Sequence, residues 1–178
     1  MINTNITLEQ IRIERLINSH KLDNFNSYDQ ELRDFLLEDA LDNQNNKISV
    51  TYIWFLKETN EMLGYITLLN DRLSLESDLK KYFKNKGIHY KALPALKVGR
   101  LAVDDRFLRR GIGSLMLSFA VKVAERIFKA YSGCRFLVLD AKRNNDRSKD
   151  VIHFYKKIGF QIMKERSKGT TPMYLDLR

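Results

Sequence analysis

Residues 108–114, with the sequence LRRGIGS, combine positive charge with backbone freedom in a way that suits an anion. Two glycines let a ligand approach the main chain closely. An apolar stripe at helical spacing follows, which predicts a helix over 111–131. The first amides of a helix have no intrahelical acceptor, and the helix dipole adds partial positive charge there. The sequence therefore predicts a phosphate or pyrophosphate site made by Arg109, Arg110, Gly111, Ile112, Gly113 and Ser114.

Two common phosphate-binding motifs do not fit this stretch. A P-loop has a lysine and then a serine or threonine after its last glycine, whereas Gly113 is followed by Ser114 and Leu115. A dinucleotide-binding fold needs a third glycine at the position that Met116 occupies. The predicted ligand is therefore a phosphate compound of another class.

The elements on either side of these glycines predict a β-α-β unit. A strand at 95–104 precedes the helix, and a strand at 135–141 follows it. Such a unit has parallel strands and a right-handed crossover. The remaining predicted strands and helices lie at 8–18, 48–57, 62–70, 160–166 and 172–177 (strands) and at 27–42 and within 151–160 (helices). We therefore predict an α/β (α+β) fold with a mixed, mostly antiparallel sheet and helices on both faces.

Composition limits the class of protein. The chain has 178 residues, which suits one domain over 1–178, and no apolar run is long enough to cross a membrane. We expect a cytoplasmic protein, because the first residues lack a secretory apolar core. A single cysteine, Cys134, and three histidines without ligand spacing give no basis for a metal site. The net charge of +9 favours a polyanionic partner, although a generic basic surface is an equally good explanation.

Residues 71–93 look like a local insertion after a strand hairpin. Tyr82, Phe83 and Tyr90 alternate with lysines in this segment, and a short helix fits 74–83. This mixture could contact RNA, but a solvated helix with a few packed aromatic residues fits it better.

The segment 98–160 resembles the GCN5-related N-acetyltransferases (GNAT family). The resemblance rests on VGRLAVDDRFLRRGIGS with its helix, on RFLVLDA and on FYKKIGF. The signature of the family begins with Gln or Arg three residues before the first glycine, where this chain has Leu108. Because backbone amides do most of the binding, we expect the site to tolerate this departure. The resemblance implies a GNAT-type fold along nearly the whole chain and acetyl-CoA as co-substrate, without a metal.

The same resemblance implies roles for further residues. The backbone of Leu101, Ala102 and Val103 would contact the thioester carbonyl, and a loop asparagine, Asn144, would contact the cofactor. Tyr155 matches the tyrosine that protonates the departing thiolate. A phenol is protonated at neutral pH, so it can serve as that general acid. Packing in the core beside Phe154 is the alternative role for Tyr155.

A more specific resemblance is to the acetyltransferase toxins of bacterial toxin–antitoxin pairs, carried by FNSYDQELRDFL near the start and by FYKKIGF. It implies the amino group of aminoacyl-tRNA as acceptor and an antitoxin protein as partner, and a homodimer is also open. Two alternatives remain: an acetyltransferase for a small-molecule amine or a protein N-terminus, and a non-catalytic acyl-CoA-binding regulatory module. No membrane partner is expected.

Overall fold

A computed structural model describes residues 5–143, 151–164, 166 and 169–178. Its strands are β1 (Ile11–Arg15), β2 (Val50–Leu56), β3 (Met62–Ser74), β4 (Ala92–Val103), β5 (Phe136–Lys142), β6 (Gln161–Ile162) and β7 (Thr170–Asp176). They are hydrogen-bonded in the order β1-β2-β3-β4-β5-β7-β6. Antiparallel pairs predominate, and the sheet contains one parallel pair. The predicted mixed α/β fold is confirmed.

The helices agree with the predicted order. They are α1 (Gln30–Asp34), α2 (Ala40–Asn45), α3 (Ser77–Asn85), α4 (Ile112–Ala130) and α5 (Ile152–Ile158). A π-helical segment, Phe35–Asp39, joins α1 to α2, and short 3-10 turns occupy Leu8–Gln10 and Asp105–Phe107. The chain thus passes from β4 through α4 to β5, its neighbour in the sheet, as the predicted β-α-β unit requires.

Part of the segment 71–93, which its composition presents as an insertion, belongs to the strands of the sheet. Strand β3 continues to Ser74 and β4 already begins at Ala92, so both ends of the segment belong to the sheet. Only α3 and its flanking turns lie outside the strands. The first strand is also shorter than predicted, because residues 8–10 form a 3-10 turn.

Contacts between Cα atoms divide the chain into two compact units, one of Met1–Leu69 with Val98–Ala120 and one of Asn70–Lys97 with Val121–Arg178. One domain over 1–178 stays a prediction. The first unit buries aliphatic and aromatic side chains from β2, β3, the α1–α2 region and the segment between β1 and α1, among them Phe25, Ile53 and Tyr65. The Tyr65 hydroxyl donates a hydrogen bond of 2.6 Å to the carbonyl of Leu32, which ties α1 to the sheet.

The second unit has its own apolar cluster, built on β4, β5 and α3. Phe83 of α3 is buried and meets Phe136 of β5 edge to face, with ring centroids 5.9 Å apart. Leu79 and Ile88 pack against the same cluster. The apolar side of α3 therefore packs against this unit and holds the helix on it. No described helix has the length and apolar character that a membrane span needs.

Candidate active site

The start of α4 lies at the predicted glycines. The amide of Leu115 donates to the carbonyl of Gly111 at 3.2 Å and makes the first hydrogen bond of the helix. The amides of Ile112, Gly113 and Ser114 have no acceptor among the described residues. Ser114 and Gly111 are exposed, so an anion could reach this end of the helix. Phosphate binding by residues 109–114 stays a prediction.

The turn before α4 depends on left-handed backbone conformations. Arg109 has φ +60° and Gly111 has φ +82°, and the residue between them, Arg110, does not share this conformation. Turns that contain left-handed residues can direct backbone amides toward an anion. A Cβ on Gly111 would approach Asn5 only to 3.8 Å, so the conformation and not space favours glycine there.

The two arginines of this turn differ in their surroundings. Arg109 is exposed, whereas Arg110 is half-buried with its guanidinium carbon 5.6 Å from the ring centre of the buried Phe107. The carbonyl of Arg110 accepts a hydrogen bond of 3.1 Å from the amide of Ile6. The N-terminal segment therefore helps to hold the turn in place.

A buried carboxylate, Asp104, anchors the loop between β4 and α4. Its side chain is fully buried and accepts hydrogen bonds from the amides of Asn26 and Arg106, each at 3.0 Å. The Arg106 guanidinium donates to both carboxylate oxygens, at 2.8 and 3.0 Å. The amide of Asp105 in turn donates to the Asn26 carbonyl. Asn26 lies 78 residues away from Asp104, so no local sequence pattern pointed to this contact.

The protonation of Asp104 follows from these contacts. Burial alone raises the pKa of this carboxyl, but the hydrogen bonds from Arg106 and from the two amides outweigh it and hold the pKa below its ordinary value. Asp104 is therefore a carboxylate at neutral pH, and it is saturated by donors. Such a group positions the loop and is unsuited to act as a general base.

The backbone of β4 at Leu101, Ala102 and Val103 is approached closely by another strand. Gly64 of β3 has φ +152°, and a Cβ built there would lie 2.2 Å from the Ala102 carbonyl oxygen and 3.0 Å from the Val103 Cα. The register of β2 against β3 shifts beside Gly64, between Trp54 and Phe55. Glycine at 64 thus allows main chain to pack on main chain at the residues predicted to contact the thioester.

Tyr155 lies in the second unit, on α5, and is largely buried. Its ring meets those of Phe154 and Phe160, with centroids 5.2 and 5.7 Å away. The helix ends at Gly159, whose φ of +106° is the left-handed cap that glycine favours. The aromatic packing that the sequence offered as an alternative role is present, and the role as general acid stays a prediction.

Asn144 lies outside the described residues. No group of three or more histidine, cysteine or acidic side chains among the described residues could hold a metal ion. Burial raises the pKa of the Cys134 thiol, which disfavours the thiolate that a nucleophile needs.

Gly64→Ala tests the close backbone contact. We expect it to lower the free energy of unfolding by roughly 2 to 5 kcal/mol, because the methyl group must displace the Ala102 carbonyl and the alanine must adopt an unfavourable φ. Urea unfolding measures the loss. Gly87→Ala is the matched control, since Gly87 has φ +75° with open space around it and reports the backbone term alone. Equal losses in the two variants would contradict the steric argument.

Asp104→Asn tests the carboxylate anchor. At pH 7 we expect a loss of about 1–3 kcal/mol in the free energy of unfolding, because asparagine replaces an acceptor of four hydrogen bonds with a neutral group. The pKa of Asp104 is lowered on folding, so its contribution is complete above the unfolded value of about 3.9 and declines at lower pH.

The difference between wild type and Asp104→Asn should therefore be constant from pH 7 to 5 and narrow below about pH 4. Urea unfolding across this range measures it. Asp105→Asn changes the adjacent, exposed carboxylate and should cost little. If the difference in unfolding free energy between wild type and Asp104→Asn grew as the pH fell, Asp104 would not be ionised as proposed.

Solved structures with the same fold cover nearly the whole chain. A crystal structure of a tyrosine-to-phenylalanine mutant of KacT has a TM-score of 0.76 at 24% identity, covering 94% of this chain and 95% of that one. AtaT complexed with acetyl-methionyl-tRNAfMet has a TM-score of 0.75 at 25% identity, covering 93% and 94%. AtaTR bound with AcCoA has a TM-score of 0.73 at 24% identity, covering 96% and 95%.

These structural neighbours are acetyltransferases of toxin–antitoxin systems, as the more specific resemblance implied. No curated protein has a sequence similar enough to match this chain. The model of the "Acetyltransferase (GNAT) family" matches residues 13–160, which include β4, the glycine turn, α4 and Tyr155. The chain therefore belongs to the GNAT acetyltransferase family.

Proposed function

We propose that this protein transfers the acetyl group of acetyl-CoA to the α-amino group of an aminoacyl-tRNA. The observation that carries the proposal is the start of α4, where three amides without described acceptors follow a left-handed turn flanked by arginines. A pyrophosphate carries the charge and the acceptor oxygens that such a site requires. The AtaTR complex with AcCoA supports acetyl-CoA as the ligand.

A solved structure of AtaT and the net charge of this chain both support aminoacyl-tRNA as the acceptor. AtaT has been crystallised with acetyl-methionyl-tRNAfMet, the product expected of acetyl transfer to an aminoacyl-tRNA. The net charge of +9 favours a nucleic acid over a polyamine, since cationic acceptors would need an acidic cleft. A tyrosine-to-phenylalanine mutant of the AtaT toxin is bound to the C-terminus of the antitoxin AtaR in another solved structure, and we include an antitoxin partner and a cytoplasmic location in the proposal.

The proposed reaction is a direct attack. The neutral amine nitrogen forms a bond to the thioester carbonyl carbon, and the carbon–sulfur bond then breaks. Backbone amides within Leu101, Ala102 and Val103 stabilise the negative charge on the carbonyl oxygen. The CoA thiolate takes a proton from the Tyr155 hydroxyl, the new ammonium loses its proton to water, and the Tyr155 phenolate regains a proton from water. An α-amino group has a pKa near 8, so a sizeable neutral fraction exists without a dedicated base.

Ser114→Pro tests acetyl-CoA binding by the helix amides. Proline removes one backbone donor but is tolerated in the first helical turn, where that donor makes no bond within the helix. We expect the dissociation constant for acetyl-CoA to rise about tenfold, as loss of one charge-assisted hydrogen bond predicts. Isothermal titration calorimetry measures it.

Ser114→Ala is the matched control, because it removes the hydroxyl and keeps the amide. We expect its affinity for acetyl-CoA to stay within about twofold of wild type. Absence of any heat from acetyl-CoA with the wild-type protein would refute the proposed site. A larger loss in Ser114→Ala than in Ser114→Pro would assign the binding to the side chain instead.

Tyr155→Phe tests the general acid. We expect turnover to fall about 100-fold or more, because the thiolate then leaves without its proton donor, while acetyl-CoA affinity changes little. Transfer of radiolabelled acetyl to aminoacyl-tRNA measures turnover, and thermal unfolding confirms that the buried site still folds. Tyr131→Phe removes an exposed tyrosine hydroxyl and serves as the control. Wild-type turnover in Tyr155→Phe would remove this residue from the mechanism.

A further inference from the structure

The outward side of α3 carries lysines without ion-pair partners. Lys80, Lys81 and Lys84 are exposed, and none of their side chains forms an ion pair or hydrogen bond with a described residue. Lys80 and Lys84 are four residues apart and Lys81 and Lys84 three apart, so they face each other on the helix surface. Like charges at these spacings destabilise a helix, so an interaction outside the helix would have to compensate for their repulsion.

Two more cations lie at the ring of Tyr82, of which Arg178 also forms an ion pair of 2.8 Å with Asp176. Lys86 lies over the Tyr82 ring with its nitrogen 4.8 Å from the ring centre, and the Arg178 guanidinium lies 5.3 Å from the same centre. Arg178 also donates a hydrogen bond of 2.7 Å to the Tyr82 hydroxyl. The Lys86 cation is the main cause that lowers the pKa of the Tyr82 hydroxyl, and Asp176 opposes it.

The rest of the segment adds an aromatic side chain to this basic surface. Tyr90 is 71% exposed and stands next to Lys91, in the connection from α3 to β4. Residues 75–91 contain five lysines and two acidic residues, Glu76 and Asp78. Lysines beside an open aromatic ring suit a single-stranded nucleic acid, because the cations contact phosphates and the ring stacks on a base.

A membrane surface is a poorer match for the same helix. Helices that lie in a membrane interface leave their apolar face free to enter the lipid. In α3 that face is already buried, since Phe83 and Leu79 pack on the apolar cluster of the second unit. Only the charged side remains available, and it can bind a partner by electrostatics alone.

We propose that the basic surface of Lys80, Lys81, Lys84, Lys86 and Tyr90 docks the phosphate backbone of the acceptor RNA. This inference rests on the proposed function, because an aminoacyl-tRNA is the RNA that the enzyme would hold during acetyl transfer. Lysine side chains on one helix face contact successive phosphates without reading base sequence. The surface therefore contributes affinity and on-rate, and it leaves the chemical step to residues elsewhere.

The test compares Lys80→Gln/Lys81→Gln/Lys84→Gln with wild type for binding of a fluorescently labelled aminoacyl-tRNA, followed by anisotropy at several salt concentrations. We expect the triple variant to bind about tenfold more weakly at low salt. Its slope of log affinity against log salt should be smaller by about 2 to 3, because each lost phosphate contact removes close to one unit. Calorimetry should give unchanged acetyl-CoA affinity.

Two control sets isolate the position and the charge. Lys122→Gln/Arg126→Gln/Lys129→Gln removes the same charge from the exposed side of α4 and should keep the wild-type slope. Lys80→Arg/Lys81→Arg/Lys84→Arg keeps the charge on α3 and should keep binding. Equal loss of slope in the α4 set and the α3 glutamine set would overturn the proposal, since it would show a general charge effect.

Further outcomes separate this inference from the proposed function. If wild type acetylates aminoacyl-tRNA and the α3 glutamine variant binds and acetylates equally well, the docking surface is wrong and the function stands. If wild type binds tRNA through these lysines but transfers no acetyl group, the docking surface stands and the function is wrong. Binding to phosphatidylserine vesicles or to an acidic peptide through the same lysines, without binding to tRNA, would overturn the inference.

Discussion

Three backbone amides at the start of α4 have no acceptor among the described residues, and the surrounding loop holds them in place. Such donors lose hydrogen-bond energy unless water or an anion satisfies them, so the helix start is suited to an anion. The left-handed turn at Arg109 and Gly111 directs the chain into the helix. The proposed cofactor site thus follows from where the helix begins.

Two contacts remote in sequence keep this helix start in position. Asp104 is saturated by Arg106 and by the Asn26 amide, so the loop that enters the turn is tied to the segment before α1. Gly64 lets β3 press on the β4 backbone at Ala102, and the Met116 side chain of α4 lies 3.0 Å from the same built Cβ position. The strand predicted to contact the thioester and the helix predicted to hold the pyrophosphate therefore share one packing contact.

Local patterns predicted much of this arrangement from the sequence, and pairing between distant segments accounts for what they missed. The apolar stripe after Gly111 gave the bounds of α4 to within a residue, because helical periodicity is a local property. The contact of Gly64 with Ala102 and the Asp104–Asn26 hydrogen bond depend on the register between strands and on loop packing, which no short window contains. Residues 71–93 look like an insertion for the same reason: their ends pair in the sheet, but their composition is that of a charged loop.

The cations behind the net charge of +9 are of two kinds, those paired within the fold and those left unpaired, and the sequence alone could not separate them. Several arginines are neutralised within the fold: Arg106 pairs with Asp104 and Glu61, and Arg135 and Arg178 both pair with Asp176. Their planar guanidinium groups suit fixed pairs of this kind. The lysines of α3 have no such partners in the part of the chain that the structure describes, so their charge remains available to the surroundings. Paired charges contribute little to the electric field outside a protein. The excess positive charge that an incoming polyanion meets is therefore concentrated at unpaired cations. On α3 these cations lie on the outward side of the helix.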